Sequence, residues 1–253
     1  MVEVYSYRNS ESAAYALGEY IADAQDKALA KNKVFRIAIS GGSLVGALQE
    51  GLILNKKVAP RVKWGQWEIY FVDERLLPLS HEDSNYGLFK RKLVNLLDPK
   101  VTRPYIAAIN TTLLSPSGGQ DDSIAKDYEK KLPDHMDLII LGCGEDGHIC
   151  SLFPGHELLE ENVKMVANLE DSPKLPPRRI TFTFPYLKKA TQIAFYARGS
   201  GKKPILKKVF SGTATNLPSV KVNQFKKIPV SWFVDEAAIE DANVKTSTYK
   251  SGN

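Results

Sequence analysis

His148 stands two residues after Asp146 in the stretch GCGEDGH (142–148), directly behind the apolar run MDLIILGC. A carboxylate that accepts from one imidazole nitrogen fixes the tautomer and leaves the other nitrogen free as a general base. Such a base typically contributes ~10²–10⁴ in rate. Three glycines among those seven positions are costly to order, which favours a turn that serves a ligand or a catalytic group over one that holds a structural histidine. The other histidines are set in plainer surroundings. His81 belongs to a surface loop, His135 precedes a strand, and His156 follows a Pro-Gly turn.

A second glycine turn, Gly41-Gly42-Ser43, lies between the β-branched run VFRIAIS and the helical pattern LVGALQEGLIL. Exposed N–H groups and a helix dipole favour an anion at such a place. No Gly-Lys-Ser/Thr follows, so this is not a Walker loop, and the spaced G-x-G-x-x-G of dinucleotide folds is absent too. Alone, the stretch reads equally as a tight turn with Ser43 as N-cap or as a phosphate cradle. Asp73, Glu74 and Arg75 close the run WEIYFVDER. Carboxylates at the end of a buried strand are either paired or used, and both readings stay open. Arg178 and Arg179 begin a strand, and Lys202 and Lys203 follow RGSG at a helix start. Singly these are solvated cations; converging on a glycine cradle they would bind phosphate, arginine as a planar fork and lysine as a point charge. No G-x-S-x-G elbow is present, which argues against a covalent acyl enzyme.

The elements that must carry these residues can be read from periodicity. Ala14, Leu17, Ile21, Ala24 and Ala28 recur at helical spacing from residue 12 to about 30, with Ser10 as the expected N-cap. Strands are expected at 34–40, 67–75 and 136–143, in RITFTF, in TQIAFYARG and in PVSWFVD. Helices are expected at 84–97, after Pro185 and in GKKPILKKVFSG. Apolar strands alternating with helices imply a Rossmann-like α/β fold, a mostly parallel sheet with helices on both faces. Ligands then bind at the carboxyl ends of the strands, where the unusual residues cluster. The stretches 114–123 and 169–179 read as irregular. One domain spanning 1–253 is expected, with a flexible tail from about 243.

Composition bounds the rest. The chain has 253 residues, 43% hydrophobic and 25% charged, enough to bury a core without metals or disulfides. Cys143 and Cys150 match no metal-ligand spacing and suit a reducing compartment. No apolar signal region or membrane-length run occurs, so a cytoplasmic location is expected, with nuclear access left open. The net charge of +5 is scattered in lysine pairs without aromatic interleaving, so no nucleic-acid partner is expected. Together the pieces fit metal-free acid/base chemistry on a phosphorylated small molecule.

Six motifs occur in order: SGGSL, VDER, SNYG, LGCGEDGHICSLFPGH, DSPKLPPRRITFTFP and GSGKKPIL. With them the chain resembles the 6-phosphogluconolactonases, closely so their eukaryotic branch, over nearly its whole length. The resemblance implies hydrolysis of 6-phospho-D-glucono-1,5-lactone to 6-phosphogluconate, the second step of the oxidative pentose phosphate pathway, with no metal and no cofactor. It implies a fold shared with glucosamine-6-phosphate deaminases, whose own motif is a similar Gly-x-Asp-Gly-His. By position, His148 would activate water and Asp146 would orient it. Gly41, Gly42 and Ser43 would cradle the phosphate, Arg179 and Lys202 would complete the anion site, and Asp73 and Arg75 would line the sugar end. The expected partner is the sugar phosphate lactone, to a monomeric enzyme. Ile149, where many relatives have threonine, and Glu145 inside the glycine motif depart from the pattern without removing a catalytic group. Two rival readings remain: an amino-sugar phosphate deaminase or isomerase with Asp73 as principal base, and a non-catalytic, RNA-associated relative that keeps the fold.

Overall fold

Residues 2–116 and 118–252 are described in the structure, a computed structural model. A first strand, β1 (Val2–Tyr7), is an element that the sequence reading leaves unassigned. Helix α1 (Ser10–Leu29) follows, capped by Asn9, whose side chain accepts from Ser12 N at 2.8 Å. The cap thus falls one residue before the expected Ser10. The predicted apolar stripe of α1 is buried throughout.

The chain continues through β2 (Phe35–Ile39), α2 (Ser43–Gln49), β3 (Trp67–Phe71), β4 (Asp73–Arg75) and α3 (Asn85–Lys92). Next come β5 (Tyr105–Ile106), α4 (Asp121–Glu129), β6 (Leu138–Gly142), β7 (Val166–Leu169) and β8 (Arg179–Phe182). The last elements are α5 (Phe184–Leu187), β9 (Ile193–Ala197), α6 (Lys203–Phe210), α7 (Pro218–Asn223), β10 (Val230–Asp235) and α8 (Glu236–Ile239). Seven strands form one sheet in the order β1-β10-β9-β6-β2-β3-β5, and every neighbouring pair is parallel.

Strand side chains alternate between two cores. Ile37, Ile39, Ile69, Phe71, Leu138 and Ile140 pack with α1, α2 and α3. Ala38, Tyr70, Ile139, Leu141, Phe195 and Trp232 pack with α4 to α8 on the other face. Both faces are covered, the arrangement that continuous apolar strands demand.

The run WEIYFVDER does not make one strand. It breaks at Val72, whose N–H donates to Ile39 O at 3.0 Å in the large sheet while its carbonyl accepts from Phe182 N at 2.7 Å. Residues 73–75 then leave for a second, antiparallel sheet of order β4-β8-β7, with Asp73 opposite Thr181 and Arg75 opposite Arg179. RITFTF, expected in the large sheet, supplies the middle strand of this small one. The tail expected to be flexible from about 243 is tied down instead. Ser247 exchanges backbone hydrogen bonds with Val4 and Ser6, and Tyr249, Ser251 and Gly252 all donate to Asp23.

From β2 the chain runs outward to β3 and β5, then returns to the opposite flank of β2 as β6. The carboxyl ends therefore diverge between β2 and β6. A crevice opens at such a switch point in doubly wound sheets.

Candidate active site

Four strand ends surround this crevice, and each sends its irregular continuation into one cavity of about 200 Å³. From β2 come Gly41, Gly42 and Ser43; from the junction of β3 and β4, Asp73 and Arg75; from the turn after β6, His148; and from beyond β9, Lys202. Arg179, at the start of β8, forms part of the wall. Every residue expected at the site lines this cavity except Asp146, which stands behind His148.

The β6 turn is shaped by its glycines. Gly144 N donates to His148 O at 2.9 Å and Gly147 N to Gly144 O at 3.0 Å, closing a tight loop. Gly147 has φ +84°, a left-handed conformation that favours glycine. A Cβ on Gly144 would lie 2.0 Å from His148 Nδ1, so only glycine admits the ring there. His148 Nδ1 sits 2.5 Å from Asp146 Oδ1, and the same oxygen accepts from His148 N at 3.2 Å. The Phe153 ring packs on the imidazole with centroids 4.7 Å apart. Lys174 Nζ lies 3.9 Å from the Asp146 carboxylate.

Burial lowers the His148 pKa below its ordinary value, and the hydrogen bond and charge of Asp146 pull against that without cancelling it. For Asp146, burial alone would raise the pKa, but the hydrogen bond and charge of His148 outweigh it and hold the carboxyl low. The pair is thus a carboxylate beside an imidazole that stays neutral near neutral pH, as a general base must. The two thiols are unsuited to nucleophilic work. Burial pushes Cys143 up to about 11 and raises Cys150 as well.

The arginine pair divides its tasks. Arg178 turns away to Asp121, 2.7 and 2.5 Å from its two carboxylate oxygens, and to Ser115 O at 2.6 Å. Arg179, only 3% exposed, donates to Pro176 O, Lys174 O and Leu175 O at 2.8, 2.6 and 3.2 Å. Its Nη1 faces Ser151 Oγ at 3.4 Å and Asp73 Oδ2 at 4.0 Å. Arg179 therefore anchors the 169–179 stretch from the cavity wall, with Nη1 left beside Ser151 and Asp73. Lys203 pairs with Glu240, whereas Lys202 lines the cavity. His156 binds Asp171 at 3.0 Å, and His81 accepts from Asp83 N.

Asn85, Ser151, Tyr196 and Arg198 escape the sequence reading. Asn85, Tyr196 and Arg198 line the cavity, and Ser151 Oγ donates to Asp73 Oδ2 at 2.8 Å. Arg198 was open to discovery, because it directly follows an apolar strand at its carboxyl end. Asn85 and Ser151 fall within the motifs SNYG and LGCGEDGHICSLFPGH, but nothing in those motifs shows that tertiary folding brings them to Asp73. Among the described residues, no group of three His, Cys, Asp or Glu side chains is arranged to hold a metal.

A strand-end crevice in a parallel α/β sheet, lined by a glycine turn, cations and an Asp-bound histidine, defines a candidate small-molecule site. The family described as "Glucosamine-6-phosphate isomerases/6-phosphogluconolactonase" matches residues 8–232, and the chain belongs to it. The chain is 43% identical over 249 residues to "6-phosphogluconolactonase 3" of Saccharomyces cerevisiae, covering 97% of this chain and 100% of that one. In structure it is similar to a 6-phosphogluconolactonase from Leishmania guyanensis, with a TM-score of 0.78, 24% identity, and coverage of 94% and 97% of the two chains. It is also similar to a monomeric glucosamine-6-phosphate deaminase, with a TM-score of 0.73, 16% identity, and coverage of 94% and 99%. The last two show the shared fold.

Proposed function

We propose that the protein hydrolyses 6-phospho-D-glucono-1,5-lactone to 6-phosphogluconate in the oxidative pentose phosphate pathway. The observation that carries this reading is His148, held by Asp146 at 2.5 Å in the wall of the cavity. With Nδ1 bound to the carboxylate, Nε2 takes a proton from water as the water oxygen attacks the lactone carbonyl. The tetrahedral intermediate then breaks its bond to the ring oxygen, and the imidazolium returns the proton to that oxygen. Neither a metal nor a covalent intermediate enters this sequence. A lactone carbonyl is already electrophilic, so positioning the substrate and one water supplies much of the effect.

Gly41, Gly42, Ser43 and Lys202 hold the phosphate, with Arg179 adding its charge from the cavity wall; Asp73 and Arg75 face the sugar. The full-length identity to a relative named 6-phosphogluconolactonase supports the substrate. A deaminase would use Asp73 as its principal base, but Asp73 Oδ2 already accepts from Ser151, and Arg179 stands beside it. A cytoplasmic, monomeric enzyme is part of the same proposal; among the described residues no helix is long and apolar enough to cross a membrane.

The test is lactone opening by wild type and His148→Ala, with the lactone generated in situ and the spontaneous rate subtracted. Acceleration by wild type and a fall of ~10² or more in the variant are expected. An active wild type matched by the variant would remove His148 from the mechanism. An inactive wild type that deaminates glucosamine 6-phosphate would move the assignment to the rival reading.

A further inference from the structure

Glu74 lies beside the site, 2% exposed, and has no part in the chemistry above. Its carboxylate is nevertheless fully engaged. Oε1 accepts from Arg75 N and Asn85 N, both at 2.8 Å; Oε2 accepts from Tyr86 N at 2.8 Å and Ser84 Oγ at 3.2 Å. Three of these donors belong to the first residues of α3 and to its cap, so an anion from β4 closes the open N-terminal end of that helix.

The consequence reaches the cavity through the neighbouring side chain. With its backbone N–H fixed by Glu74, Asn85 directs its Nδ2 to Asp73 O at 2.8 Å and toward Asp73 Oδ1 at 3.4 Å. Its Oδ1 lies so near the phosphate cradle that a Cβ on Gly41 would sit 1.8 Å away. Asn85 thus touches two of the four strand ends that build the site and lines the cavity itself. Burial pushes the Glu74 pKa up to about 7, against the pull of its backbone donors. A buried carboxylate is costly, and local capping alone does not require one, since Ser84 already caps α3 by accepting from Gly87 N at 3.1 Å.

We propose that Glu74 is a positioning residue that, by gripping the start of α3, sets Asn85 against Asp73 and the Gly41 turn and so fixes the width of the substrate cleft. It rests on the lactonase reading only for its assay. Misplacement of substrate-holding groups by about 1 Å costs up to ~10² in rate. Glu74→Gln, an isostere that replaces one acceptor with a donor facing donors, should therefore lower kcat/KM about tenfold or more, mainly through KM.

The experiment measures kcat, KM and Tm for wild type, Glu74→Gln, Asn85→Ala and the double variant, with affinity for 6-phosphogluconate by calorimetry. The expected result is a kinetic loss in each single variant and no further loss when Glu74→Gln is added to Asn85→Ala. Independent sites would instead multiply their effects, and that outcome overturns the proposal. So does a variant that loses Tm while keeping wild-type kinetics and affinity, because Glu74 would then only stabilise. If Glu74→Gln fails to fold, Asn85→Ala decides: wild-type kinetics there leave Glu74 no route to the site. Wild-type turnover tests the lactonase reading separately, so failure of that reading shows in wild type and failure of this proposal shows in the variants.

Discussion

The largest influences on the proton affinity of His148 oppose each other, with smaller ones from Lys174 and Asp73. Burial favours the neutral ring, while Asp146 favours the charged one, and burial prevails. As the proposed base, the ring is therefore neutral above a pH lower than the ordinary imidazole value of about 6.5, and kcat/KM of wild type should rise along an acid limb below that pH. Asp146→Asn removes the only one of these influences that the partner supplies, so the limb should move to still lower pH. The plateau should also fall, by ~10² or more, because an amide does not enforce the tautomer that leaves Nε2 free. A pH profile of kcat/KM for both proteins checks both; an acid limb that stays in place in the variant would detach Asp146 from His148. This pair was legible in the sequence because both partners sit in one turn, two residues apart. Asn85 and Ser151 were not, since the partners that place them are 11 to 78 residues away in the chain; Glu74 was legible only as a strand-end carboxylate either paired or used, without the donors it takes.

At the scale of elements, the cavity-lining turn Gly41-Gly42-Ser43 depends on how α2 is seated. After Gln49 the helix widens into a π turn (Glu50–Leu54), and Asn55 N closes on Glu50 O at 2.9 Å. This segment crosses α1 at a glycine-to-glycine contact. A Cβ on Gly18 would lie 2.3 Å from Gly51 O, and one on Gly51 would lie 2.4 Å from Ala14 O. The obstructing atoms are backbone, so no side-chain rotation relieves them. Gly51→Ala should destabilise the protein by about 1–3 kcal/mol, the range for overpacking, lowering Tm by several degrees. Because the displaced segment continues α2, KM should rise as well. Thermal unfolding with steady-state kinetics would show it, and an unchanged Tm would mean that the two helices separate freely. Periodicity gave this helical run but not its widening, which lies at the crossing with α1. The same limit applies to WEIYFVDER: a continuous run of aromatic and β-branched residues carries no sign of the step at Val72, where hydrogen bonds pass from one sheet to the other. That step turns Asp73 and Arg75 into the crevice, so the site owes its form to a feature periodicity does not register.

At the scale of the whole molecule, the two chain ends close the sheet edge together. β1 is an edge strand, and an unpaired edge invites pairing with another chain. Here Ser247 covers it, donating to Val4 O and accepting from Ser6 N, both at 3.0 Å. Tyr249 then packs edge-on against Tyr5 and Tyr20 and reaches the buried Asp23 at 2.7 Å. Ser251 Oγ and Gly252 N donate to the same carboxylate, and Arg61 pairs with it at 2.7 Å. Polar composition suggested a loose tail because it cannot reveal that a buried acid on α1 awaits these donors. Truncation after Lys245 would leave Asp23 with Arg61 alone and expose the faces of Tyr5 and Tyr20. A hydrogen bond to a charged group contributes about 1.5–3 kcal/mol, so with the lost aromatic packing a fall in Tm of about 5 °C or more is expected. None of the residues freed lines the cavity that holds His148, so kcat/KM measured well below Tm should stay within about twofold of wild type. The bared edge should also raise the tendency to self-associate, visible by light scattering at increasing protein concentration. A truncated chain with wild-type Tm would mean that the strap contributes no net stability; a large kinetic loss would mean that the sheet edge and the crevice, on opposite sides of β10 and β9, are coupled through the sheet itself.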